Sequence, residues 1–321
     1  MKAKKLLSTV LAAAMVAATL VGCGSSSDLS KSNVTCIVPY DAGGGTDVVM
    51  RALADSAKGS FKNLTVENRS GAGGATGMLA GATAKADGTT VTMITVELTT
   101  LEAMGTNAGL TYSMFKPIMM VNSACSAITV KADDSRFNTL EDLIEYSKSN
   151  ELQMGNSGTG AIWHLAAAGL AKTAGTEFKH VGYDGAAGAI TDLLGGHIDA
   201  VAVSYAEVAS YVESGDLKVL AVMSDNRLDS IPDVPTCKEC GYDAVLGTWR
   251  GLGVPKDTPQ EVVDYLYEAF STAAQSPEFV EFMNNSNNVI DILDGAEFEK
   301  RIEKDLEVYT GLVNDLGLKV Q

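Results

Sequence analysis

Short apolar runs alternate with stretches of helical spacing along most of this chain, the pattern of an α/β fold. The opening unit sets the theme. Ile37-Val38 closes a buried strand, and Val48, Val49, Ala52 and Leu53 fall at helical spacing. Between them lies Pro39-Tyr40-Asp41-Ala42-Gly43-Gly44-Gly45-Thr46-Asp47. Thr46 or Asp47 is placed to cap the helix, and the glycines let bare backbone approach a ligand, with Gly44 free to take a positive φ. A helix N-terminus offers unpaired N–H groups and roughly half a positive charge, so the loop is suited to an anion, phosphate or carboxylate. The alternative is a plain strand-to-helix turn. No lysine follows the glycines and the G-x-G-x-x-G spacing is absent, so neither the P-loop nor the dinucleotide fingerprint fits.

The same grammar continues. Leu64–Glu67 reads as a strand, and Asn68 to Gly77 as a glycine-rich loop feeding a small-residue helix that packs closely on the sheet. Thr90–Val96 is a third strand, with Glu97 at its C-terminal end, where open α/β sheets meet their ligands. From Lys116 to Val130 the pattern is β-rich without a helix, as expected of a strand crossing between lobes. A second series follows: a helix over 139–147 opened by Thr139, the strand Leu152–Gly155, the loop Asn156-Ser157-Gly158-Thr159-Gly160, and a helix over Ala161–Lys172. Next come the strand Phe178–Val181, a turn at Tyr183 and Asp184, a helix ending at Leu194, and strands over 197–204 and 218–223. Pro232, Pro235, Pro255 and Pro259 mark a loop-rich region before helices over about 259–274, 277–285 and 295–313.

Two glycine-bearing loops, each at the end of a strand and the start of a helix, would face each other across a cleft between two α/β lobes. At 321 residues the chain has room for both. The expected division is residues 33–121 with 224–321 as one lobe and 122–223 as the other.

The N-terminus stands apart. Lys2, Lys4 and Lys5 precede an apolar run from Leu6 to Val21, the form of an export signal over residues 1–22. Leu20-Val21-Gly22-Cys23 resembles a bacterial lipobox, in which Cys23 would carry lipid, with 23–32 as a flexible tether. Loss of the three lysines takes the formal charge from −16 to −19, which argues against nucleic acid as a partner. Cys36 and Cys125 read as buried packing residues. Cys237 and Cys240 form a single C-x-x-C that cannot complete a zinc site; packing is favoured there over a disulfide.

No catalytic set stands out. His164, His180 and His197 lack metal-binding spacing, and His164 is placed to orient the second loop. Ser157 is not in a G-x-S-x-G elbow and reads as a hydrogen-bond donor; a hydrolase using Ser157 with His164 is the weaker alternative. No cofactor or metal is expected, and the chain is not expected to be an enzyme.

Several co-linear motifs carry a resemblance over nearly the whole mature chain. They are Val38 to Asp47, Val66 to Gly74, Ala86-Asp87-Gly88, Gly155 to Gly160 with His164-Leu165-Ala166, Tyr183-Asp184-Gly185, Asp192 to Asp199, Pro232 to Thr236, and Trp249. Together they resemble the solute-binding proteins of tripartite tricarboxylate transporters, the Bug or TctC family. The resemblance implies a two-lobed, type II periplasmic-binding-protein-like fold, each lobe a mixed β-sheet flanked by helices. It implies an extracytoplasmic receptor, here tethered by the lipid expected at Cys23, that delivers a small carboxylate to a two-subunit permease. A sensory receptor for a membrane histidine kinase is the alternative. The ligand would be a di- or tricarboxylate, an aromatic carboxylate or an amino acid. Carried over, the contacts would be Tyr40, Ala42, Gly43, Gly44, Thr46 and Asp47 from one lobe and Ser157, Gly158, Thr159, Tyr183 and Asp184 from the other. The family often has a basic residue at Asp184 and a small one near Glu97; acids there disfavour a tricarboxylate and suit a ligand with an amino or hydroxyl group. Trp249 would be an apolar wall or a core residue.

Overall fold

A computed structural model describes residues 29–183, 185–286 and 288–320. The export signal, Cys23 and Asp184 lie outside the described residues. Among those described, no helix is long and apolar enough to cross a membrane.

The first unit is parallel: β1 (Asn33–Val38) pairs with β2 (Asn63–Asn68) on one side and β3 (Thr90–Thr95) on the other. Helices α1 (Gly45–Ala57) and α2 (Ala75–Ala82) connect them. Gly77 and Gly81 let α2 lie directly on Pro39 and Thr92, where any Cβ would collide. This is the close helix-to-sheet packing expected of that small-residue segment. Ahead of β1, Leu29 is buried, and Gly88 backs onto it.

The long β-rich run is one strand, β4 (Phe115–Lys131), buried on both faces through most of its length as a central strand must be. It serves two sets of partners. Residues 115–125 pair with β9 (Gly247–Pro255), and residues 119–123 also meet β10 (Val289–Asp294). Residues 126–131 pair with β7 (Ala200–Ser204) and β8 (Leu217–Val222). The strand order is β2-β1-β3-β9-β4-β7-β5-β6, where β5 is Gln153–Asn156 and β6 is Lys179–Gly182. After β3 comes α3 (Glu97–Met104), and after β4 comes α4 (Leu140–Ser147). Thr139 opens α4 through a reciprocal capping box with Asp142 (3.2 and 3.0 Å).

In the second half, α5 (Ile162–Ala174) follows β5, α6 (Ala186–Leu194) follows β6, and α7 (Tyr205–Glu213) follows β7. The C-terminal helices are α8 (Gln260–Ala274), α9 (Pro277–Asn285) and α10 (Gly295–Asp315). The loop-rich reading of 232–259 is corrected at its end: β9 runs through it, inserted antiparallel between β3 and β4. Its glycines Gly247 and Gly251 lie where neighbouring atoms leave no room for a Cβ, and Gly253 lies close against Phe115 and Ile94. Trp249 on β9 is a core residue, not a cleft wall. It is fully buried, stacks edge-on against Phe298, and donates from its indole to Asp305 (2.8 Å). Cys36, Cys125, Cys237 and Cys240 are free thiols, and burial pushes the Cys36 thiol up to about 12.

Candidate functional site

The first loop is held largely by its own residues. α1 begins at Gly45 with Gly44 as N-cap, and no side chain caps it. Thr46 and Asp47 do not take that role, because both already lie in the first helical turn. The buried Asp47 carboxylate turns back instead. It accepts from the Gly43 N–H (2.8 Å), from Arg51 Nε (2.9 Å) and from Asn68 Nδ2 (2.8 Å). Burial works against this charge, yet those donors hold the carboxyl below its ordinary value. The positive φ falls at Gly43 (84°), whereas Gly44 has φ −73° and room for a Cβ. Ala42, Gly43 and Gly44 are exposed. The N–H groups of Gly45, Thr46 and Asp47 have no acceptor within the helix, so they remain available to an anion.

Tyr40 points at Glu97. Its hydroxyl shares a hydrogen bond with Thr95 Oγ1 (2.8 Å) and donates to Glu97 Oε2 (2.9 Å). Gly74, with φ 98°, lies against the phenol, where a Cβ would come within 2.9 Å of the oxygen. Glu97 is the first residue of α3, so its carboxylate sits at a helix N-terminus that favours negative charge.

The residue missed in the sequence is Arg250, on β9. Its Nε donates to Thr46 Oγ1 (3.0 Å), and its guanidinium lies 3.2 Å from where a Cβ on Gly45 would stand. A cation is thereby fixed against the N-terminus of α1. Burial works against its charge, while Glu97, Tyr40 and Glu207 favour it. No carboxylate among the described residues lies within ion-pair distance of it. The one signal in the sequence was a lone arginine among the small residues of Gly247-Thr248-Trp249-Arg250-Gly251.

Arg250 stands opposite Asn122 in the β4–β9 register, so the two side chains emerge on one face of the sheet. Asn122 is fully buried, and neither its amide nitrogen nor its oxygen has a partner. Ser126, two positions of the same face further along β4, is likewise buried with an unpartnered hydroxyl. Across β4 from Ser126 stands Ser204, whose N–H and hydroxyl both donate to Glu207 Oε2 (2.8 and 2.7 Å). Buried polar groups without protein partners are uncommon, and here they gather beside an unpaired arginine.

The second loop is braced from behind. The Gly158 N–H donates to Asn156 Oδ1 (3.0 Å), and the Gly160 N–H donates to His164 Nδ1 (2.9 Å), so His164 does orient this loop. No hydrogen bond is recorded between His164 and Ser157; His164 Nδ1 is taken by the Gly160 N–H. Asn156 is buried with its Nδ2 unpartnered. Ser157 and Gly158 are partly exposed and Thr159 fully so. Tyr183 donates its N–H to the Asn156 carbonyl (3.1 Å), but its hydroxyl donates to Asp192 (2.7 Å), on α6. The loop approaches the first unit directly: a Cβ on Gly160 would be 3.0 Å from the Met104 sulfur, at the end of α3.

Surface cavities also open elsewhere. One of about 410 Å³ opens on the other face of β4, at Ser123 and Cys125. Its charged groups are already engaged: Asp225 with Lys238, Arg227 with Glu239, and Arg301 with Asp305.

Glycine-bearing loops at strand ends, set on a mixed sheet with a shared central strand, define a solute-binding protein of the periplasmic-binding-protein fold. The chain belongs to the tripartite tricarboxylate transporter family of receptors (TctC), whose sequence pattern matches residues 49–318. It is similar to the crystal structure of a TctC solute-binding protein from Polaromonas, solved without ligand. The two are 39% identical, the match covers 89% of this chain and 99% of that one, and the TM-score is 0.84. It is similar to the protein BugT of Bordetella pertussis, 28% identical over 295 residues, covering 90% of each chain. MatC from Rhodopseudomonas palustris, solved with bound malate, shares the fold with a TM-score of 0.70 at 21% identity, over 88% of this chain and 99% of that one. Members of the family are solute-binding receptors that act outside the cytoplasm.

Proposed function

We propose that the protein is a lipid-anchored extracytoplasmic receptor that captures a small carboxylate and hands it to a membrane permease without chemical turnover. The ligand lies between a lobe of residues 33–121 and 224–321 and a lobe of residues 122–223. The carrying observation is Arg250. A half-buried guanidinium is fixed against a helix N-terminus by Thr46, with no protein carboxylate at ion-pair distance among the described residues. Such a cation calls for an anion from outside. Ala42, Gly43, Gly44, Gly158 and Thr159 would supply backbone donors around it, with Ser157 adding a hydroxyl. Malate bound to MatC makes small hydroxy-carboxylates one class to screen.

The test is a thermal-shift screen of mono-, di- and tricarboxylates, followed by calorimetry. A ligand at about 100 times its dissociation constant raises stability by roughly 2.7 kcal/mol. Arg250→Gln should weaken the best ligand by about ten- to a hundredfold, the loss of one charge-assisted hydrogen bond, with unliganded stability retained. Parent-like binding by Arg250→Gln would move the site elsewhere. The lipid anchor is tested separately: Cys23→Ser should release the protein from membranes, and fully soluble, unmodified wild-type protein in cells would sink the anchor.

A further inference from the structure

Resting on the receptor reading, we propose that the ligand is a zwitterion, an amino-carboxylate whose carboxylate takes Arg250 and whose ammonium takes Glu97. The argument is one of charge. Arg250 stands opposite Thr95 in the β3–β9 register, and Thr95 shares the Tyr40 hydroxyl that donates to Glu97, so a single guanidinium lies beside this acid, with Glu207 also acting on it and the nearby Asp47 already matched by Arg51. A ligand bearing only carboxylates would seat one on Arg250 and bring the rest into a surplus of negative charge. An added cation removes that conflict.

The two acids are not equivalent. Glu207 is exposed, so water screens its charge, and its Oε2 closes the first turn of α7 on the N–H and hydroxyl of Ser204, whereas Glu97 is half-buried. Glu97 is held without being neutralised. Tyr40, itself fixed by Thr95, donates to Oε2, while no cation lies within ion-pair distance of Glu97 and Oε1 has no hydrogen-bond partner among the described residues. An oriented carboxylate with one open oxygen, near but not in contact with an oriented guanidinium, is a two-pole receiver for a ligand of opposite polarity. Asn122 supports it. Its buried, unpartnered amide beside Arg250 offers both a donor and an acceptor to the same ligand.

The test is calorimetry with four matched pairs: L-alanine and propionate, L-aspartate and succinate, L-glutamate and glutarate, L-phenylalanine and 3-phenylpropionate. At least one amino member should bind about tenfold or more tighter than its deaminated partner. Glu97→Gln should erase that preference, weakening the amino member about tenfold and leaving the partner nearly unchanged. Arg250→Gln should weaken both members. Should Glu97→Gln fail to fold, Tyr40→Phe reads the same effect more mildly by releasing Glu97. Equal or tighter binding of the deaminated member in every pair, or a preference that survives Glu97→Gln, overturns the zwitterion and leaves the receptor standing. Binding of none of the eight, with a hit elsewhere in the carboxylate screen, likewise overturns the zwitterion and leaves the receptor standing; no hit in either set overturns both.

Discussion

Three adjacent glycines in the first loop do three different jobs, and substitutions separate them. Gly43 holds a φ of 84°, so Gly43→Ala should cost on the order of 1 kcal/mol of stability whatever the ligand does. Gly44 has an ordinary φ, and a Cβ there would only touch the Asp41 carbonyl at 3.5 Å, so Gly44→Ala should leave thermal unfolding unchanged. Gly45 is already helical, and a Cβ there would press on the Arg250 guanidinium at 3.2 Å. Gly45→Ala should therefore hold or slightly raise stability while lowering affinity, a divergence that calorimetry beside thermal unfolding would reveal. If Gly45→Ala binds like the parent, Arg250 is not positioned for the ligand through this turn. Nothing in Gly43-Gly44-Gly45 as letters says which residue reverses the chain. That depends on Asp47, whose carboxylate draws the Gly43 N–H toward it only because Asn68 and Arg51 are folded alongside. The strand-to-helix loop was legible from residue types; its internal wiring was not.

At the scale of elements, the second loop depends on what lies beneath it. His164, which accepts from Gly160, meets His180 edge-on at 4.5 Å, and burial together with His164 pushes His180 down to about 4. The unfolded chain takes up a proton near the ordinary histidine value of about 6.5, well before the folded one does. Stability is thus complete above that value and falls as pH drops toward 4. Allowing for partial exposure the loss is on the order of 2 kcal/mol. Unfolding of the parent followed from pH 7 to 4 should show that slope, and His180→Phe should flatten it. An identical slope in the variant would assign the acid sensitivity to other groups. The elements best read in the sequence were those whose signals are local. Thr139 with Asp142 opens α4, and the long β-rich run without a helix is β4, whose pairings span both halves. The C-terminal helices likewise fall within a residue or two of their expected bounds. β9 was hidden because a strand shielded on both sides by β3 and β4 can use glycines and a proline that would disrupt an isolated strand. Arg250 was hidden with it, for its meaning lies in reaching Thr46 across more than half the chain.

For the whole molecule, β4 is the strand that both sets of pairings share, and closure on a ligand as proposed would run through it. Its residues up to Cys125 belong to the β9 and β10 pairings, and those from Ser126 onward to β7 and β8. Asn122 and Ser126 flank that change of partners, and both carry buried polar atoms that a bound ligand would satisfy. Contacts between the units also exist away from the site: Lys172 pairs with Asp315, and Gly169 lies against Leu246 and Leu312. These can serve as the side that stays closed while the loop side opens. Ligand binding should then draw the loops together without disturbing either unit internally. In small-angle scattering the radius of gyration should fall on addition of the best ligand from the screen. In hydrogen exchange, protection should rise over 41–47, 122–126 and 156–160, where a ligand and its closure remove solvent from backbone donors. Arg250→Gln, at a concentration that saturates it, should show the same closure, since it weakens the seat and not the hinge. Protection spread evenly through both units, with no change in radius, would mean that the chain binds as a rigid body and that β4 is a shared strand but no hinge.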